Sequence, residues 1–108
     1  MINSVTAKFR KDLNAGVVGL AVLAALAAED GDVYGYELAK RAPFRPSSIY
    51  PVLRALCAAG WLSSRVVPSY AGPARRYYRI TAKGRETLAA WRETWLETRN
   101  FVNELLER

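Results

Sequence analysis

Two six-residue runs, Leu62–Val67 and Arg75–Ile80, face each other across Pro68–Pro73, a segment bounded by prolines and holding Gly72. Their β-branched content and alternation mark strands, and the proline- and glycine-bearing segment between them reads as a hairpin tip. On both sides of this hairpin the apolar residues recur at helical spacing instead. The expected fold class is therefore mainly α with a two-stranded β wing: a winged helix-turn-helix plus a long C-terminal helix.

Helix 1 is expected from about Val5 to Ala28, with Gly16 and Gly19 as weak points. Its second half is apolar on nearly all sides, as in a helix with several neighbours. Glu29-Asp30-Gly31-Asp32 reads as a stop and turn, and helix 2 runs from about Gly35 to Arg41. Pro43-Phe44-Arg45-Pro46 makes a tight connection, because neither proline suits a helix interior. Ser47 and Ser48 are candidate N-caps of helix 3, Pro51 falls in its first turn, and Gly60 ends it. Thr81 caps a final helix over Ala82–Leu106. Residues 1–81 form the winged helix-turn-helix region with its N-terminal helix, and 82–108 the dimerisation helix, together one structural domain.

The charge is unevenly placed. Residues 34–85 hold ten basic residues against Glu37 alone, whereas the segments before and after are slightly acidic. A basic centre between near-neutral flanks suits a polyanion-binding face, although an ordinary solvated arginine-rich surface gives the same count. The 108 residues contain no His and a single Cys. Without His, the usual zinc clusters and His-based nucleophile pairs are excluded, so binding rather than catalysis is expected, with no metal or cofactor. The uncharged run Leu13–Ala28 after Lys8, Arg10 and Lys11 mimics a signal peptide, but Asp12 interrupts the basic stretch. Sixteen residues are also too few for a convincing membrane span. A buried helix in a cytoplasmic protein is the better reading.

A recognition helix needs an apolar side to hold it on the core and a polar side for base edges and phosphates. Helix 3 offers both: Ile49, Val52, Leu53 and Leu56 inward, and Ser47, Ser48, Tyr50 and Arg54 outward. The hairpin adds Arg65, Arg75, Arg76 and Arg79, and Lys83 follows at the start of the last helix. These cations are expected to hold phosphates. Tyr77 and Tyr78 point to opposite faces of their strand, one inward and one outward. Cys57 reads as a small buried hydrophobe rather than a redox sensor.

Three motifs in order carry a family resemblance: Tyr34-Gly35-Tyr36-Glu37-Leu38; Ile49-Tyr50-Pro51-Val52-Leu53 with Leu56 and Gly60-Trp61-Leu62; and Arg75-Arg76-Tyr77-Tyr78-Arg79-Ile80-Thr81 with Gly84. Together they resemble the PadR family of transcriptional regulators over residues 16–108. The resemblance implies a dimeric bacterial winged-helix repressor on an inverted-repeat, double-stranded DNA operator. Two departures stand out. The connection from Arg41 to Ser47 is short for the family, and Ser47-Ser48-Ile49 replaces a Gly-Thr-Leu-like sequence. Base preference is therefore not carried over.

Leu88, Trp91, Trp95, Thr98, Val102 and Leu105 step by threes and fours, a heptad seam on the last helix. So small a domain has little core left to cover it, so Leu88, Trp91, Trp95, Val102 and Leu105 are assigned to a homodimer interface. The chain is similar to the small branch of the family with a single C-terminal helix, the LmrR-like multidrug-sensing members. That likeness implies that Trp91 and Trp95 could take a planar aromatic or hydrophobic effector, although plain interface packing accounts for both tryptophans. Two rival functions remain: a winged-helix module for acidic protein partners, and a ligand-binding dimer without an operator.

Overall fold

The computed structural model describes residues 2–41 and 44–108. Its elements run α1 (Ile2–Ala27), β1 (Val33–Tyr34), α2 (Gly35–Lys40), α3 (Pro46–Ala58), β2 (Leu62–Val67), β3 (Arg75–Ile80) and α4 (Ala82–Leu106). The two hairpin strands and α4 have the bounds expected from sequence. α1 begins three residues earlier than expected and passes through Gly16 and Gly19 without a break. Helix periodicity outweighs the modest cost of each glycine.

The start of α3 differs from expectation. Arg45, not Ser47 or Ser48, is the N-cap, with extended backbone (φ −124°, ψ 143°) and no side-chain cap. The cause is Pro46: it disfavours helical conformation at the residue before it and is itself preset for the first helical position. Ser47 and Ser48 consequently lie inside the first turn, and Pro51 falls in the second turn rather than the first. Pro51 and Ser47 are both exposed, so water can satisfy the carbonyl that the proline leaves free. Of the expected Pro43-Phe44-Arg45-Pro46 connection, Pro43 lies outside the described residues. Phe44 N–H donates to the Arg41 carbonyl at 2.7 Å.

The end of α3 follows its glycine. Gly60 has φ +81°, the left-handed conformation that reverses the chain. Trp61 N–H then donates to the Leu56 carbonyl and Gly60 N–H to the Cys57 carbonyl, both at 3.0 Å, the paired bonds of a Schellman turn. That turn also starts α4: the Thr81 hydroxyl accepts from Gly84 N–H at 3.0 Å and donates to the Gly60 carbonyl at 2.7 Å. Gly84 is buried, and only glycine fits there, because a Cβ would collide with the Trp61 carbonyl oxygen. α3, the hairpin and α4 thus meet at one backbone junction.

The wing strands pair antiparallel with Ser64 opposite Tyr78 and Val66 opposite Arg76. A strand that the sequence reading did not include, β1, joins the far edge of β3, giving the order β1-β3-β2. The core packs Val22, Leu23 and Leu26 of α1 against Leu38, Ile49 and Leu53 of α2 and α3, all six at most 1% exposed. Leu62, Tyr78 and Ile80 close it from the sheet side. Burying each such aliphatic side chain contributes roughly 1.5–3 kcal/mol. The N-terminal half of α1 and the C-terminal half of α4 lie outside this core, and the molecule is 57 Å long but only 21 Å thick.

Candidate nucleic-acid interface

The inward stripe of α3 is Ile49, Leu53 and Leu56, all buried, with Val52 half-buried beside it. Helical geometry turns the next residues toward the wing. Tyr50, Arg54 and Cys57 of α3 line a cleft of about 470 Å³ with Ser64, Arg76 and Tyr78 of the sheet. Three expected DNA-contact residues, Tyr50, Arg54 and Arg76, therefore share one wall-to-wall site. Ser47 and Ser48 stand exposed in the first turn of the same helix. Arg76 Nη1 donates to Ser64 Oγ at 3.1 Å, which holds the guanidinium along the wing.

The other wing cations point elsewhere. Strand alternation and the register set Arg65, Arg75, Arg79 and Tyr77 on the face opposite Arg76 and Tyr78. There Asp32 binds both Arg65 and Arg79, the latter at 3.1 Å. These partners, the Arg65 hydrogen bond above all, hold the Asp32 carboxyl below its usual value against a smaller opposing effect of burial. Arg75 lies 5.1 Å over the Tyr34 ring and Arg65 lies 5.9 Å over Tyr77. Lys83 is exposed in the first turn of α4, beside Gly60. The basic residues counted together in sequence thus divide between the α3 side and the outer side of the wing.

Of the two tyrosines read as alternating, Tyr78 is the inward one at 5% exposure, and Tyr77 stacks 5.5 Å from Tyr34. Cys57 is half-buried rather than fully buried, and it borders the cleft. Burial pushes its thiol up, with the Ser64 hydrogen bond and the Arg76 charge pulling the other way, so the group stays a neutral thiol. Cys57, Ser64 and Tyr78 were not singled out as site residues. Alternation alone shows which strand residues share a face, but only the register puts Ser64 across from Tyr78 and beneath Cys57.

On the far side of α3 an open groove of about 790 Å³ is bounded by α1 and α4, and Trp91 and Trp95 both line it. Trp91 meets Trp61 edge-on at 5.0 Å and is half-buried, while Trp95 is 38% exposed. Val52 and Ala55 of α3 form part of the same groove. Farther along α4, Val102 and Leu105 are exposed, as are Val5, Phe9 and Leu13 along α1. Leu88, by contrast, packs on the core.

Comparison with known proteins follows the same pattern. A family model described as "Transcriptional regulator PadR-like family" matches residues 22–90. The fold is similar to a PadR family regulator from Eggerthella lenta (27% identity, TM-score 0.85), with 98% of this chain and 96% of that one covered. A PadR-like regulator from Bacillus cereus is 31% identical with TM-score 0.72, over 90% of this chain and 98% of that one. A transcriptional regulator from Clostridium thermocellum gives 27% identity and TM-score 0.75, over 86% and 96%. No curated protein matches the sequence.

Proposed function

The chain belongs to the PadR-like family of transcriptional regulators, and from that premise we propose that it is a ligand-responsive repressor that binds an inverted-repeat operator as a homodimer. The observation that carries this reading is the cleft in which Tyr50 and Arg54 of the recognition helix face Arg76 of the wing. Winged-helix recognition sets a helix in the major groove with the wing beside it, and this pairing of cations supports that placement. Ser47, Ser48, Tyr50 and Arg54 approach base edges, while Arg76 and Lys83 neutralise phosphates along the flanks and Arg75 and Arg65 add positive charge from the outer face of the wing.

The uncovered apolar residues of α1 and α4 support the homodimer, with Val102 and Leu105 at its seam. Dimerisation sets the distance between two recognition helices and so selects operators with two half-sites. An effector in the Trp91–Trp95 groove acts through the helices that bound it. It regulates only by favouring one spacing of the recognition helices over another. Among the described residues no helix is long and apolar enough to cross a membrane, in keeping with a cytoplasmic site of action.

The test is a mobility-shift titration of the DNA upstream of its own gene, with and without a planar aromatic dye that quenches tryptophan fluorescence. A specific shift that the dye weakens supports the whole reading. A dye that binds with no DNA shift leaves a ligand-binding dimer, and no binding of either kind leaves a module for acidic proteins.

A further inference from the structure

We propose that the cleft between α3 and the wing is a built seat for one phosphate group, in which neutral hydroxyl donors act together with two guanidinium groups. The proposal rests on the DNA-binding reading above and deepens it. Five polar groups of three kinds converge there: the Arg54 and Arg76 guanidiniums, the Tyr50 and Tyr78 phenols, and the Ser64 hydroxyl.

Tyr78 is the informative member. Its ring is packed in the core, the residue being only 5% exposed, while its hydroxyl end lines the cleft, where it is not a buried, unsatisfied group. A phenylalanine would fill the same place in the core, so what the tyrosine adds is a hydroxyl in the cleft that Arg54 and Arg76 also line. Ser64 is oriented by the 3.1 Å bond that it accepts from Arg76, and its own proton can turn from the neighbouring Cys57 sulfur to an anion in the cleft. The thiol of Cys57 borders the same space without charge, because burial favours its protonated form. Among the described residues no carboxylate lines the cleft. Such a set of donors, with two cations, one of them held by Ser64, fits a tetrahedral oxyanion.

The same chemistry is offered by a backbone phosphate of DNA and by free phosphate in solution. At about 470 Å³ the cleft is larger than a bare phosphate ion needs, which suits a phosphodiester with its flanking sugars and waters. The guanidiniums supply the charge, whereas the hydroxyls supply direction. Their removal is thus expected to reduce affinity without changing the number of counterions released.

The experiment compares the wild-type chain with Tyr78→Phe, Ser64→Ala, Ser64→Thr and, as a control on the other face of β2, Ser63→Ala. Each variant's thermal midpoint is measured first, so that loss of fold is separated from loss of binding. DNA affinity is then measured on the upstream fragment and on a series carrying one neutral methylphosphonate linkage at each position. Inorganic phosphate is titrated separately at constant ionic strength, with chloride as the balancing anion. Tyr78→Phe and Ser64→Ala are expected to weaken DNA binding about three- to tenfold with an unchanged salt slope. Ser64→Thr should restore affinity, and Ser63→Ala should leave it unchanged.

At one linkage the methylphosphonate should abolish the Tyr78→Phe penalty, which identifies the seated group as a DNA phosphate. If DNA binding is insensitive to both substitutions but phosphate raises the wild-type midpoint and not that of Tyr78→Phe, the seat takes the free anion. Insensitivity of both DNA binding and phosphate binding overturns the proposal. Should the wild-type chain bind no DNA, the regulator reading fails by itself, and the phosphate titration alone decides whether the seat stands.

Discussion

Arg54 and Arg76 line one cleft from different elements, so their losses are expected to differ in kind. Arg54 stands on the recognition helix, and Arg54→Ala should cost about 1–3 kcal/mol of specific binding while non-specific binding persists. Arg76 lies on the wing, and Arg76→Ala should weaken binding to every sequence and flatten the salt dependence by about one ion. Equal effects of the two on specific and random DNA would contradict this division. Asp32 makes a separate residue-level prediction. Arg65 and then Arg79 depress its carboxyl below the ordinary range of about 4. The folded state therefore gains from this group above that range and loses the gain as pH falls through the depressed value. Asp32→Asn should melt below wild type at neutral pH, and the gap should close in strong acid and narrow with salt; parallel melting curves at all pH values would remove Asp32 as an anchor of the sheet. The elements that carry Arg54 and Arg76, α3 and the second wing strand, can be read from spacing alone. That Arg65 engages an acid and Tyr78 faces the cleft depends on strand register, which a single sequence does not give.

At the scale of elements, Thr81 ties the wing to α4, since its hydroxyl accepts from Gly84 N–H and donates to the turn that ends α3. Thr81→Ala should cost about 1 kcal/mol in urea unfolding, as a lost N-cap does. Thr81→Ser should recover most of it, and no difference between Ala and Ser would show the cap to be idle. This cap was legible because a threonine directly precedes a long helical pattern. The start of α3 was not: Pro46, Ser47 and Ser48 all carry start signals, and the proline's rigid φ prevailed over the serines' capping ability. Two-residue β1 has too few positions to show alternation, so only its pairing with Tyr77 and Tyr78 reveals it as a strand.

For the whole molecule, the heptad seam of α4 was visible in sequence, but what it faces was not. Leu88 belongs to the chain's own core, whereas Val102 and Leu105 remain 43% and 48% exposed. A charge at Val102 is harmless to an isolated chain, since the position is solvated, but it would be buried without a partner in a dimer. Val102→Glu should therefore convert a dimer to a monomer in light scattering and reduce operator affinity, while helical content stays unchanged. A dimer that survives this substitution would move the interface away from α4.

The α3–wing face is proposed above to read DNA. The most direct test is a fluorescence-anisotropy titration against the DNA upstream of the protein's own gene, with scrambled competitor, at two salt concentrations. Saturable, salt-sensitive binding that resists the competitor is expected in the wild type, with the resistance to competitor lost in Arg54→Ala. Equal binding to both DNAs, unaffected by Arg54→Ala, would contradict it and reduce the arginine-rich centre to a generic basic surface.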